Sequence, residues 1–210
     1  MPFFKTIVIN PFMQIHIWKI TEDFDDLIDQ TQLSDLSLLR LNHLKTNNHQ
    51  LGFLSVRLLL QQIGYSDFDL EYDPNGKPFL KNNQHISISH SFGFSVIIIS
   101  NKNVGIDIEL VRNKIIEISE KFCGYEYGFL DQKNTDYAEK LTVIWGAKEA
   151  VFKLKNQRGL SFKNHIQVQP FELFKKQLEM IVITNELKEN YTAFFEKIEN
   201  YILVFTYNNH

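Results

Sequence analysis

The stretch Val104-Gly105-Ile106-Asp107-Ile108-Glu109-Leu110 decides how the rest of the chain is read. In a strand successive side chains alternate faces, so Asp107 and Glu109 share one face while Ile106, Ile108 and Leu110 share the other. Two carboxylates about 4 Å apart repel by roughly 4 kcal/mol at an effective dielectric of about 20. A strand tolerates such a pair when it is solvent-exposed, when a proton is shared, or when a cation lies between the two groups.

Composition narrows the classes. The 210 residues are 44% hydrophobic and 13% aromatic, enough apolar material for one large domain or two small halves. With 22 Lys+Arg against 25 Asp+Glu the net charge is -3, so no global basic field marks a nucleic-acid or anionic-membrane partner, and any anion site is local. The single Cys123 excludes an intramolecular disulfide and a cysteine-based zinc site, and it fits a reducing compartment. Met1-Pro2-Phe3-Phe4-Lys5 has no long apolar secretory core, and the longest apolar run, Val96 to Ile99, is far too short to span a bilayer. The expectation is a soluble cytoplasmic protein.

Moving outward from the acidic stretch, Phe3 to Ile9 and Gln14 to Ile20 read as two strands around Asn10-Pro11. Thr21 is the expected cap of a short acidic helix reaching Gln30. Ser34 caps a longer helical pattern carried by Leu38, Leu41, Leu44, Leu51, Leu54, Leu58 and Ile63, broken at Thr46-Asn47-Asn48 and closed by Gly64. Asp73-Pro74-Asn75-Gly76-Lys77-Pro78 is a turn. Gln84 to His90 and Phe94 to Ser100 are strands around Ser91-Phe92-Gly93, and Asn101-Lys102-Asn103 then turns the chain into the acidic strand, a hairpin expected to bring His90 near the carboxylates. Glu117 to Leu130 reads as a helix, and Thr135 to Lys155 is the clearest helix of all. His165–Phe171, Gln177–Thr184, Tyr191–Ile198 and Tyr201–Thr206 form a β meander. A long helix followed by strands thus occurs in each half, with the midpoint near Asn101–Asn103.

On the helix from Thr135, Leu141, Ile144, Trp145, Ala147, Val151, Phe152 and Leu154 cover the buried arc, and Glu149 and Lys153 stand four apart on its polar margin. They form either a surface ion pair or a third carboxylate facing the acidic strand with a lysine ready for an anion. Three clustered oxygen ligands suit Mg²⁺, which keeps waters and binds substrate phosphates. His90 at a strand end and Lys77 in a proline-flanked turn are each ordinary surface residues or phosphate contacts. No GxGxxG, GxxxxGK[ST] or GxSxG motif occurs, so Rossmann, P-loop and nucleophile-elbow chemistry have no support.

Four blocks in order resemble the Sfp-type 4'-phosphopantetheinyl transferases: Asn75-Gly76-Lys77-Pro78, Ile86-Ser87-Ile88-Ser89-His90-Ser91, Val104-Gly105-Ile106-Asp107-Ile108-Glu109, and Trp145-Gly146-Ala147-Lys148-Glu149-Ala150-Val151-Phe152-Lys153, with Gly159-Leu160 after the last. The resemblance implies an α+β fold, a pseudo-twofold pair of similar α/β halves. Residues 1–102 would form the coenzyme A half and residues 103–210 the half with the metal and catalytic helix, together one compact pseudo-dimeric unit. It also implies transfer of the phosphopantetheine arm of coenzyme A to a serine hydroxyl of an apo acyl or peptidyl carrier protein, releasing 3',5'-ADP, by a monomer with Mg²⁺ as cofactor and without nucleic acid or membrane as partner. Carried over by position, Asp107, Glu109 and Glu149 would hold Mg²⁺. Glu149 would serve as general base, directly or through water, and Lys153 would stabilise the leaving charge. Lys77, Ser89 and His90 would contact coenzyme A phosphates. Glu126, in a matching Phe-x-x-x-Glu segment, is expected to be structural. The chain departs from the family where a first arginine is usual nine residues before Arg57: Asn48 stands there, and Lys45, His49 or Arg40 would substitute. A non-catalytic paralogue binding a carrier protein or coenzyme A is the alternative, and an unrelated Mg²⁺ phosphohydrolase a third reading.

Overall fold

The alternating segments on either side of Asn10-Pro11 pair as antiparallel strands β1 (Phe3–Asn10) and β2 (Met13–Lys19). The computed structural model describes residues 3–82, 84–185 and 187–208, so Met1 and Pro2, where the leader reading begins, lie outside the described residues. Three helices follow, α1 (Phe24–Asp29), α2 (Asp35–His43) and α3 (Asn47–Gln62). Asp23, rather than Thr21, caps α1 by accepting from the Asp26 amide at 2.9 Å; the Thr21 amide donates to Glu22 instead. Ser34 and Thr46 cap α2 and α3 through the Ser37 and His49 amides, which makes the polar break at Thr46 the start of a new helix. Strands β3 (Leu70–Tyr72), β4 (Pro78–Leu80), β5 (His85–Ser91) and β6 (Phe94–Ser100) complete an antiparallel sheet of order β1-β2-β6-β5-β4-β3. Trp18, Leu54, Leu59, Ile86 and Ile97 belong to the core beneath α3. Arg57, 2% exposed, pairs with Asp67 at 3.0 Å, so its guanidinium secures α3 and not a ligand.

Residues from β7 (Val104–Leu110) onward form the second of two compact units, Met1–Asn103 and Val104–His210. The second unit continues with α4 (Lys114–Ile118), α5 (Tyr137–Lys155), α6 (Phe162–His165), β8 (Ile166–Val168), β9 (Gln177–Thr184), β10 (Leu187–Ile198) and β11 (Tyr201–Tyr207). Its antiparallel sheet has the order β7-β11-β10-β9-β8. The expected hairpin into the acidic strand does not form. All seven residues of β7 pair with β11, Asp107 opposite Val204 and Glu109 opposite Ile202, whereas β5 with His90 belongs to the other sheet. Asn101-Lys102-Asn103 therefore leads from one unit to the next, and the apolar C-terminal strand supplies β7 with its neighbour.

The helix expected over Glu117 to Leu130 is also absent. After α4 the chain makes two short 3-10 turns, Ser119–Lys121 and Tyr125–Gly128. The cause is Glu126, whose fully buried carboxylate accepts from the Gly124 amide at 3.1 Å and the Val168 amide at 2.9 Å and pairs with Lys148 at 2.7 Å. A regular helix would not let the Gly124 amide reach a side chain two residues ahead. The expected structural role of Glu126 is what is seen.

With β1 set aside, both sheets share one connectivity. A first strand is followed by helices and then by an antiparallel meander whose last strand pairs with the first. The fold is α+β with two antiparallel sheets. Among the described residues no helix is long and apolar enough to cross a membrane.

Candidate active site

In the second unit α5 lies directly on β7, and two glycines permit it. A Cβ on Gly105 would stand 1.9 Å from the Ala150 carbonyl oxygen, and one on Gly146 would stand 2.7 Å from Val204. This close approach sets the side chains of α5 against the polar side of β7. Ile106 and Ile108 are fully buried, and Asp107, 3% exposed, is a charged residue in an apolar strand.

The Asp107 carboxylate is met by Lys153, whose ammonium donates to Oδ1 at 2.8 Å and to the Ile106 carbonyl at 3.0 Å. The ion pair of Lys153 thus runs from helix to strand, and the surface pair with Glu149 is not formed. Glu109 accepts from the indole N–H of Trp145 at 3.1 Å. The Glu149 carboxylate accepts no hydrogen bond among the described residues. Burial pushes its carboxyl up to about 7, and Asp107 and Glu109 add repulsion that Lys153 only partly offsets. One carboxyl titrating near neutrality beside two others is a proton acceptor in the useful range.

Among the described residues no three His, Cys, Asp or Glu side chains are gathered as a ready metal set; Lys153 and Trp145 hold two of the three carboxylates. The donor chemistry nevertheless fits a hard divalent cation, because burial, with added repulsion from Asp107 and Glu109, keeps Glu149 protonated well above its ordinary range. A cation would reverse that penalty.

The residues expected on the coenzyme A side all lie in the first unit. His90 is exposed and meets His49 edge-on, with ring centroids 6.1 Å apart. Gly52, one turn along α3 from His49, makes room for it: a Cβ there would stand 2.6 Å from the imidazole. Ser89 is buried on β5. Lys77 donates to Asn103, and burial lowers its pKa, partly countered by Asp73. Lys45 is exposed between α2 and α3, and Arg40 stacks on Tyr72 at 4.0 Å. The structure brings His49 and His90 together.

Sequence reasoning missed Lys148. It is completely buried and donates to Glu126, to the Phe122 carbonyl at 2.7 Å and to the Phe162 carbonyl at 2.9 Å. An uncompensated lysine on the apolar arc of a helix is the signal, since such a residue is buried only with a partner. Helical spacing puts Trp145 on the buried arc, and its N–H bond to Glu109 has no signature in one sequence.

An acidic strand packed on a Trp-x-x-Lys-Glu-x-x-x-Lys helix in an antiparallel α+β unit defines a class of carboxylate site, and the comparisons give that class a family. Residues 103–206 match the model of the 4'-phosphopantetheinyl transferase superfamily. The chain is 31% identical to the 4'-phosphopantetheinyl transferase gsp of Aneurinibacillus migulanus over 149 residues, 69% of this chain and 61% of that protein. It is 33% identical to a 4'-phosphopantetheinyl transferase of Bacillus subtilis over 90 residues, 41% of this chain and 40% of that protein. The matched regions thus span less than two thirds of either relative. The chain belongs to the 4'-phosphopantetheinyl transferase superfamily, and its second unit carries the family match.

Proposed function

We propose that the protein transfers 4'-phosphopantetheine from coenzyme A to a serine hydroxyl of an apo acyl or peptidyl carrier protein in the cytoplasm, releasing 3',5'-ADP. The observation that carries this reading is the site on β7 and α5, where Asp107, Glu109, Glu149 and Lys153 come together within the segment that matches the family. Asp107, Glu109 and Glu149 would hold Mg²⁺, which when bound supplies charge neutralisation at the coenzyme A pyrophosphate. Glu149, whose carboxylate is free of hydrogen bonds among the described residues, takes the proton of the incoming serine hydroxyl, directly or through water. Lys153 stands at Asp107 to compensate negative charge as the 3',5'-ADP leaves. In the first unit His90 and His49, with Lys77, Ser89 and Lys45, bind coenzyme A phosphates. In this reading the chain acts as a monomer.

The test is to incubate the protein with coenzyme A, Mg²⁺ and several apo carrier proteins and to weigh each carrier. A mass gain of one phosphopantetheine is expected on at least one carrier. Coenzyme A binding without any mass gain would instead identify a non-catalytic paralogue. Phosphate release in the absence of carrier would identify a phosphohydrolase.

A further inference from the structure

We propose that the first unit holds a second ligand site, separate in chemistry from phosphate handling, for a small uncharged planar ring bearing a carboxamide. A cavity of about 430 Å³ lies there between the start of β2, the end of α3 and the ends of β5 and β6. That is within the range of small-molecule sites. Its lining includes Phe12, Gln14, His16, Ile63, Tyr65 and Gln84, and among the described residues no Lys, Arg, Asp or Glu contributes to it. In a chain that is 22% charged, such a lining selects against anions. A charged ligand would gain no counter-charge from this lining.

The connectivity shared by the two units explains why the space exists. β2 and β7 are both seven residues long and pair with the last strand of their own sheet over their whole length, Met13 to Lys19 with β6 and Val104 to Leu110 with β11. Gln14 therefore takes the place of Gly105, and His16 the place of Asp107. At Gly105 the helix backbone closes onto the strand. At Gln14 a full side chain stands on the strand, and space remains beside it.

The polar groups are set in advance. Tyr65 donates its hydroxyl to Gln84 Oε1 at 2.9 Å and accepts from Asn82 at 2.8 Å, which leaves the amino group of Gln84 as its donor to a ligand. Thr6 occupies Nδ1 of His16 at 2.9 Å, leaving Nε2 as the second polar atom. Burial lowers the pKa of His16 and keeps the imidazole neutral. Phe12, 68% exposed, is an apolar ring at the hairpin tip, fixed by its amide on Asn10 and its carbonyl under the Asn101 amide. The rings of Phe12 and Tyr65 together with the amides of Gln14 and Gln84 suit a flat ring with a carboxamide acceptor.

Nicotinamide is the probe, and nicotinate, of the same shape with one charge, is its control. Titration of the isotopically labelled full chain with nicotinamide should give saturable amide shifts at Phe12, Gln14, Tyr65 and Gln84. Nicotinate should bind at least about tenfold more weakly. His16→Phe and Gln84→Leu should each weaken nicotinamide about three- to tenfold. Gln84 is exposed, so its substitution leaves the fold and carrier modification unchanged and tests the site alone. Absence of saturable shifts, equal binding of nicotinate, or undiminished binding by Gln84→Leu would each overturn the proposal.

Discussion

Strands β2, Met-Gln-Ile-His-Ile-Trp-Lys, and β7, Val-Gly-Ile-Asp-Ile-Glu-Leu, occupy the same place in two sheets of the same connectivity, yet they carry different chemistry. Both keep the isoleucine pair, Ile15 and Ile17 in one and Ile106 and Ile108 in the other, and all four are fully buried. On the opposite face the first unit has His16 and Trp18, and the second has Asp107 and Glu109. Trp18 joins the apolar core beneath α3. Asp107 meets a lysine from α5. One framework can therefore be stabilised by an apolar residue or loaded with repelling carboxylates, and the second choice is worthwhile only where a cation or a proton is to be handled. Each unit also anchors its long helix with one buried ion pair, Arg57–Asp67 or Lys148–Glu126.

The largest contrast should appear at the strand glycine. Gly105→Ala drives a Cβ into the Ala150 carbonyl and should cost about 3 kcal/mol or more. Gln14→Ala at the matching place in the first unit should cost less than about 1 kcal/mol. Equal effects in denaturant unfolding would break the correspondence between the strands.

The ion pairs should come next. Lys148→Met leaves Glu126 buried without its cation and should destabilise by about 3–5 kcal/mol. Arg57→Met should cost roughly half as much, because Asp67 keeps the Ser34 amide and the hydroxyls of Ser34 and Ser37 as donors. Equal losses would show that these three hydrogen bonds do not compensate.

The two units should also respond to pH in opposite directions. Glu149 is raised to about 7, so the stability of its neutral form is complete below its ordinary value of 4.5 and is lost as pH rises through about 7. Burial raises Asp67 as well, but hydrogen bonds from Ser34 and Ser37 and the charge of Arg57 outweigh it and hold the group below its ordinary 3.8. Its contribution is therefore present above 3.8 and is lost as pH falls through the lowered value. Hydrogen exchange of metal-free protein should show α5 amides weakening between pH 5 and 8, while α3 amides weaken only in acid. Mg²⁺ or Glu149→Gln should abolish the α5 response. Its persistence in Glu149→Gln would remove Glu149 as the cause.

The smallest effect is expected at Gly52. Gly52→Ala presses on the exposed His90 ring. Stability should change by less than about 1 kcal/mol, while KM for coenzyme A rises several-fold. An unchanged KM would remove His90 in this position from the binding of coenzyme A.

Much of this contrast was legible before any fold was known. Period-two alternation gave β7, β1 and β2, and helical spacing gave α5 and its buried arc. Ser34 marked one helix start through ordinary capping chemistry, whereas Thr46, legible only as a break, turns out to cap a second helix. What failed were placements decided by distant partners. Nothing local says that β7 pairs with a strand about a hundred residues later and not with its predecessor. The segment after α4 has a helical pattern, but the buried carboxylate of Glu126 gathers amides from Gly124 and Val168 and forces turns instead. Asp107, Glu109, Glu149 and Lys153 were legible as a group, whereas the link from Lys153 to Asp107 depends on how closely Gly105 and Gly146 let α5 approach.

The claim that β7 alone of the two matching strands carries the chemistry is tested most directly by weighing a carrier protein after incubation with coenzyme A, Mg²⁺ and matched variants. His16→Ala should still add one phosphopantetheine. Asp107→Ala, folded by circular dichroism, should add none. Full mass gain with Asp107→Ala would contradict the account.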